Sequence, residues 1–240
     1  MDKKTSFQFF LIHPNVVLLE WNETPSDSLL LELVTFRKLL LNKFETLIQV
    51  TQGYQSLMLY HSHPIKKRDV YHAELLSLFD SMYVDFSSKG KKWQIPVCYD
   101  PSLAPDLTSL AELLKLDKRE VIDVHANATY TVYFIGFLPG FLYLNGLPSA
   151  LECPRKKQPS PRVEAGSIAI GGKQTGIYPR ASPGGWHIIG KTPYPLFRPE
   201  QKKPCFAQAG DRIVFKSISL EEYKEMTYQR ANGNLIIQPQ

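Results

Sequence analysis

Residues 130–144 read YTVYFIGFLPGFLYL and residues 154–193 read PRKKQPSPRVEAGSIAIGGKQTGIYPRASPGGWHIIGKTP. Ten of the fourteen glycines of this 240-residue chain lie between Tyr130 and Pro193. Glycine accepts positive φ and close backbone approach, while proline fixes φ, so this density predicts many defined turns rather than a loose segment. Tyr130, Val132 and Phe134 alternate with Thr131, Tyr133 and Ile135, the period-two pattern of a strand. Ser167–Ile170, Trp186–Ile189 and Arg212–Phe215 are further strands, each bounded by Gly or Pro. Short strands separated by dense turns predict a β-barrel or sandwich. Within it, Leu138-Pro139-Gly140-Phe141 fits a type II turn, with Pro second and Gly third. That turn presents Phe137 and Phe141 as a rigid apolar lip, with core packing the competing reading for one of the two rings.

Upstream the pattern changes. Phe7–Ile12 and Val16–Trp21 are strands broken by His13-Pro14-Asn15, and Thr24-Pro25-Ser26 opens a helix carrying Leu29, Leu33, Phe36 and Leu40. Leu47–Thr51 and Ser56–Tyr60 are strands, Arg68–Met82 is a helix with Tyr71, Leu75, Leu78 and Met82 on one face, and Lys92–Tyr99 is a strand. This order predicts an α+β domain over residues 1–100. Asp106–Leu116 and Lys118–Ala126 form a helical linker region over 101–128, with Asp117 and Glu120 as a capping box. The β domain follows over 129–232, and 233–240 is a short tail.

The bulk properties exclude several classes. No apolar run reaches the length of a membrane span, and MDKKTSFQFFLIHP lacks a signal-cleavage pattern, so a first strand and a cytoplasmic location are expected. The formal net charge is +5. Its basic residues fall in short clusters (Lys66-Lys67-Arg68, Lys89–Lys92, Lys202-Lys203) beside turns, without a nucleic-acid-binding motif, and read as solvated loop charge. Cys98, Cys153 and Cys205 form neither a CxxC pair nor a disulfide framework. His61 and His63 lack a third ligand nearby and read as surface histidines, so no metal is expected.

The candidate chemistry is concentrated in the glycine-rich region. Arg155 and Arg162 sit on a proline-stiffened segment and offer planar forks for carboxylate or phosphate. Gly171-Gly172-Lys173-Gln174-Thr175-Gly176 lacks the Walker spacing, yet its amides could form an anion nest, and Gln174 could orient an amide-like substrate. Tyr133, Phe137, Phe141, Tyr178 and Trp186 supply aromatic walls, with Trp186 and His187 facing opposite sides of their strand. His125, at a helix C-terminus, is either a charge stabilised by the terminal carbonyls or a cleft group. There is no GxSxG elbow, and between Leu144 and Lys191 the only carboxylates are Glu152 and Glu164. Such sparse acid–base equipment points to a site completed by another chain.

The runs GFLPGFLYL, the PR…PR pair at Arg155 and Arg162, AGSIAIGGKQTGIYP and SPGGWHIIGKTP resemble the PxpB family, the B component of bacterial ATP-dependent 5-oxoprolinase. That family is also named for the KipI sporulation-kinase inhibitor and for the first component of allophanate hydrolase. The resemblance implies an α+β N-terminal domain followed by a cyclophilin-like β-barrel C-terminal domain. It also implies one half of a carboxyltransferase-like module, in a heteromeric complex with the A and C components of 5-oxoprolinase that hydrolyses 5-oxo-L-proline, a lactam, to L-glutamate. Under it, Arg155, Arg162 and Gln174 carry catalytic roles. His125, Tyr133, Phe137, Phe141, Tyr178 and Trp186 line the substrate site. Gly171, Gly172 and Thr175 hold cofactor, with ATP and Mg2+ acting at the level of the complex. The same resemblance leaves open an inhibitor of a sensor histidine kinase, or a component of a urea or allophanate pathway.

Overall fold

A computed structural model describes residues 7–87 and 90–232, in two compact units, Met1–Ser88 and Lys89–Gln240. The expected tail 233–240, the first six residues and Lys89 lie outside the described residues.

In the first unit, β1 (Gln8–His13), β2 (Val16–Glu20), α1 (Asp27–Lys43), β3 (Leu47–Gln52), β4 (Ser56–His61) and α2 (Arg68–Asp80) follow in chain order. The strands form one antiparallel four-stranded sheet ordered β1-β2-β4-β3. Helix α1 starts where Ser26 Oγ accepts the N–H of Leu29 at 3.2 Å, a side-chain N-cap. Leu29, Leu33, Phe36 and Leu40 recur at helical spacing and are buried in one core with Val17, Leu19, Leu57 and Leu59. Each such side chain contributes roughly 1.5–3 kcal/mol on burial. Helix α2 buries Tyr71 and Leu75 and half-buries Leu78; it ends at Asp80, so Met82, expected on the same face, lies beyond it and is half-buried.

His61 departs from the surface position expected for it. Strand alternation places it on the side of Leu57 and Leu59, 5 % exposed, between Thr46 Oγ1 at 3.0 Å and Tyr71 Oη at 2.8 Å. Burial lowers its pKa. His63, beyond the strand end, is exposed beside Ser62.

The second unit contains β5 (Lys92–Cys98), α3 (Leu107–Leu114), α4 (Lys118–Asn127), β6 (Thr129–Ile135), β7 (Leu142–Asn145), β8 (Ser160–Val163), β9 (Ser167–Gly171), β10 (Gln174–Ile177), β11 (Ser182–Gly184), β12 (His187–Lys191), β13 (Arg212–Ile218) and α5 (Leu220–Ala231). Seven strands close a barrel in the order β10-β7-β6-β13-β5-β12-β9, and β8 with β11 forms a separate two-stranded flap.

Strand β5 belongs to the barrel and not, as expected, to the α+β unit: it runs parallel to β13 from Lys92↔Arg212 to Cys98↔Ile218. Residues Ile95–Cys98 are buried on both sides, as a strand inside a covered sheet requires. Asp211 fixes this pairing, accepting from the Lys91 amide at 2.9 Å and the Trp93 indole at 2.8 Å. Helices α3 and α4, joined through the Asp117/Glu120 capping box, are packed layers of the barrel rather than a linker. Leu107, Leu110, Ala111 and Val121 share one core with Val132, Ile168 and Ile213. Helix α5 is an element beyond those expected, although its Ser219/Glu222 capping box is visible in the sequence. No helix among the described residues is long and apolar enough to cross a membrane. Cys98 and Cys153 are buried thiols and Cys205 is half-buried.

Candidate functional site

The barrel wall has two apolar faces. Leu142, Leu144, Ile168, Ile170, Ile177 and Ile189 join the interior core. Residues of alternate parity face outward, and Ala169 and Ile188 form a second cluster there with Phe141, Val163, Tyr178 and Trp186, packed against Tyr143. Phe141 is its hub: ring centroids lie 4.8 Å from Tyr143, 5.0 Å from Tyr178 and 5.7 Å from Trp186. Phe134 stacks on Tyr143 at 4.4 Å. Val163 of the flap strand β8 covers part of this platform.

Two strand glycines make the platform possible. A β-carbon at Gly171 would stand 2.7 Å from Trp186 Cγ, and one at Gly176 would stand 2.9 Å from Phe141 Cζ. Both rings therefore lie directly on the strand backbone. The turn expected at Leu138–Phe141 is present: the Phe141 amide bonds to the Leu138 carbonyl at 2.9 Å and Gly140 has φ +84°. It splits its two aromatics. Phe141 is 1 % exposed, whereas Phe137 is 63 % exposed and held at φ +66°. The Leu138 amide reaches back to the Gly136 carbonyl at 2.8 Å around Phe137, a strained three-residue turn for a bulky side chain. Phe137 still meets Phe141 edge-on at 5.7 Å, so a rigid exposed ring borders the platform.

Polar groups converge there. The Arg155 guanidinium lies 5.7 Å from the Trp186 ring centroid, within cation–π range. Gln174 is the ladder partner of Gly171, beneath Trp186, and its Oε1 is shielded from solvent without a hydrogen-bond partner among the described residues. A buried orphan acceptor is costly and marks a place for a donor. Burial pushes Tyr178 up to about 12, with the neighbouring Tyr143 adding to the rise and Arg155 opposing it. Burial likewise raises Tyr143. Both phenols are therefore hydrogen-bonding groups at neutral pH rather than bases.

The other predicted residues lie elsewhere. Tyr133 is fully buried at the β6 irregularity opposite β7. His125 is fully buried, with Tyr99 Oη 2.9 Å from Nδ1 and Thr175 Oγ1 3.1 Å from Nε2. Because Thr175 donates to the Ala169 carbonyl at 3.0 Å, it accepts from His125, which is the Nε2–H tautomer. Burial lowers the His125 pKa to about 3. His125 and Thr175 are thus a neutral internal brace, not cleft or cofactor groups. Gly171 and Gly172 form no anion nest either. Gly171 lies in β9 and Gly172 begins a tight hairpin turn into β10, with its amide bonded to the Cys153 carbonyl at 2.7 Å. Trp186 and His187 do face opposite ways: His187 pairs with the inward Ile170 and donates from Nε2 to the Pro154 carbonyl at 3.0 Å.

Arg162 separates from Arg155. It pairs with Glu164 at 2.6 Å and lines a cavity of about 250 Å3 with Asp106, Lys156, Ser160 and Lys191. In the sequence Tyr143 belongs with the aromatics that surround the glycine-rich turns, and the Leu142/Leu144 alternation places it outward, whereas nothing there gives Phe134 a role beyond the β6 alternation. The sequence had no signal for Asp106, whose Oδ2 meets Lys156 Nζ at 2.6 Å, because fifty positions separate the pair. Among the described residues no group of three or more His, Cys, Asp or Glu could hold a metal ion.

The family described as carboxyltransferase domain, subdomain C and D, matches residues 7–207. A Bacillus subtilis protein, named as the B component of 5-oxoprolinase, is 45 % identical over 139 residues, 58 % of this chain and 58 % of its own length. A Haemophilus influenzae protein of the same name is 40 % identical over 157 residues, covering 58 % of this chain and 74 % of its own. The matched region thus spans little more than half of the Bacillus relative. The crystal structure of the Kluyveromyces lactis urea carboxylase superimposes over 100 % of this chain and 24 % of its own, with TM-score 0.83 at 16 % identity; that likeness concerns fold alone.

Proposed function

This chain belongs to the PxpB group of the carboxyltransferase-domain family, and from that membership we propose that it is one component of a cytoplasmic, ATP-dependent 5-oxoprolinase. Its partners in this reading are the A and C components, and its barrel is the cyclophilin-like half of a carboxyltransferase-like module. The observation that carries the chemistry is the orphan Oε1 of Gln174, the ladder partner of Gly171 on which Trp186 lies, with the Arg155 guanidinium 5.7 Å from the same indole.

5-Oxo-L-proline offers a lactam N–H, a lactam carbonyl and a carboxylate on a small flat ring. Gln174 Oε1 accepts the N–H, removing its own desolvation cost. Arg155 takes the carboxylate through its planar fork. Phe137 and Trp186 wall the ring. A lactam is a poor electrophile, and transfer of the ATP γ-phosphoryl to its oxygen activates the carbonyl. ADP leaves at that transfer; water then adds to the carbonyl carbon, the C–N bond breaks with the nitrogen leaving as the amine, and a second water hydrolyses the resulting γ-glutamyl phosphate to glutamate and inorganic phosphate. The chain's part is to bind and orient the lactam; ATP and Mg2+ are assigned to the assembled complex, since the hairpin at Gly171–Gln174 does not fit a phosphate cradle.

The test is a pair of variants in the reconstituted complex. Gln174→Ala and Arg155→Ala should each lower kcat/KM for 5-oxoproline by about tenfold to a thousandfold without loss of assembly. Wild-type kinetics in both would remove the platform from the reaction.

A further inference from the structure

The cavity behind the flap adjoins the platform: Val163 and Ile188 belong to the aromatic cluster and also line the cavity, to which Ser160, Arg162 and Glu164 add polar groups. At its base Asp106 is held by the Ile188 amide, which donates to Oδ2 at 2.7 Å, and by its own amide, which donates to the Ile188 carbonyl at 3.0 Å. Lys156 Nζ meets the same oxygen at 2.6 Å and reaches Ser160 Oγ at 3.1 Å. Both members of this pair are mostly shielded, with side chains 19 % and 16 % exposed. At the mouth, Glu164 is occupied by the Arg162 Nε at 2.6 Å.

The charges do not cancel. Asp106 is matched by Lys156 and Glu164 by Arg162. Lys191, half-buried on the same lining, is in no ion pair among the described residues, although its charge joins the hydrogen bond and charge of Arg162 in lowering the pKa of Glu164. Arg162 uses Nε on Glu164, which leaves its two terminal nitrogens as an open fork. Asp106 is engaged through Oδ2 and Glu164 through Oε1, which leaves one oxygen of each beside the donors: the Arg162 fork, the Lys191 ammonium and the remaining Lys156 proton, three cations against two carboxylates. Ammonium and guanidinium groups around a small concave volume favour a compact oxyanion.

We propose that this cavity is a binding site for a small oxyanion, phosphate or carboxylate, gripped by Lys156, Arg162 and Lys191. The site stands apart from the lactam-binding role assigned to the platform. An anion there braces Arg162 on β8 and so holds the flap whose Val163 covers the aromatic cluster.

Binding is measured directly on the full chain by calorimetric titration with inorganic phosphate, and in parallel with L-glutamate, at constant ionic strength in chloride. One or both should saturate a single site. Lys191→Met and Arg162→Met should each weaken that binding by at least about tenfold. Lys173→Met, on the exposed hairpin turn, should bind as wild type. Thermal melts establish that the variants are folded. Saturation by phosphate alone makes the ligand a phosphate, and saturation by glutamate alone makes it a carboxylate; either supports the site. No saturation by either probe up to about 10 mM, or undiminished binding in both Lys191→Met and Arg162→Met, overturns it. The readout needs no partner chain, so its failure is distinct from failure of the 5-oxoprolinase reading.

Discussion

The indole of Trp186 lies on the backbone of Gly171, so closely that a β-carbon at residue 171 would stand 2.7 Å from Cγ and Cδ1. The contact explains why two adjacent glycines precede Lys173: the first admits a ring and the second starts the hairpin. Gly171→Ala must move the indole or the strand, at a cost of about 1–3 kcal/mol. Denaturant unfolding and near-ultraviolet circular dichroism should show a less stable protein with an altered aromatic signal. An unchanged spectrum at unchanged stability would mean that the ring does not sit there.

Phe137 combines exposure with positive φ. Its ring contributes little to folding, while its backbone conformation costs about 1–3 kcal/mol. Phe137→Gly should therefore be more stable than Phe137→Ala, by about 1 kcal/mol, because only glycine occupies that conformation without strain. Both variants should lower turnover of the assembled complex if the ring walls the lactam. An alanine variant as stable as the glycine variant would contradict the strained turn.

Much of this is legible in the sequence, for physical reasons that can be named. The turn at Leu138–Phe141 and the Asp117/Glu120 capping box are set by neighbours in the chain, and both form as local chemistry dictates. The aromatics of the platform are legible as a group because glycine spacing marks where rings approach the backbone. What escapes depends on distant pairing. Strand β5 meets β13 across about 120 positions, and nothing local distinguishes its apolar run from that of an α+β strand. Arg155 and Arg162 look alike on one stiff segment, yet the pleat of β8 sends Arg162 to the cavity. A helix-terminal position suggests solvent for His125, whereas Tyr99 and Thr175, contributed by remote segments, enclose it.

His125 also gives a pH dependence. Its folded pKa, about 3, lies below the ordinary value of 6.5. The unfolded chain therefore binds a proton first as pH falls. The stability linked to neutral His125 is complete above pH 6.5 and is lost as pH drops from there toward 3, at about 1.4 kcal/mol per pH unit. His61, also lowered by burial, acts with the same sign. Urea unfolding at pH 7, 6, 5 and 4 should show a shallower decline in His125→Gln than in wild type, by about one proton. Parallel declines would show that His125 is not buried neutral.

The central claim is that this chain is an obligatory part of an ATP-dependent 5-oxoprolinase, and reconstitution tests it most directly. Glutamate release from 5-oxo-L-proline and ATP is measured with the A and C components, with and without this chain. The account predicts glutamate formation that disappears when this chain alone is withheld. A demonstrably assembled complex that releases no glutamate, or A and C components fully active without it, would contradict the claim.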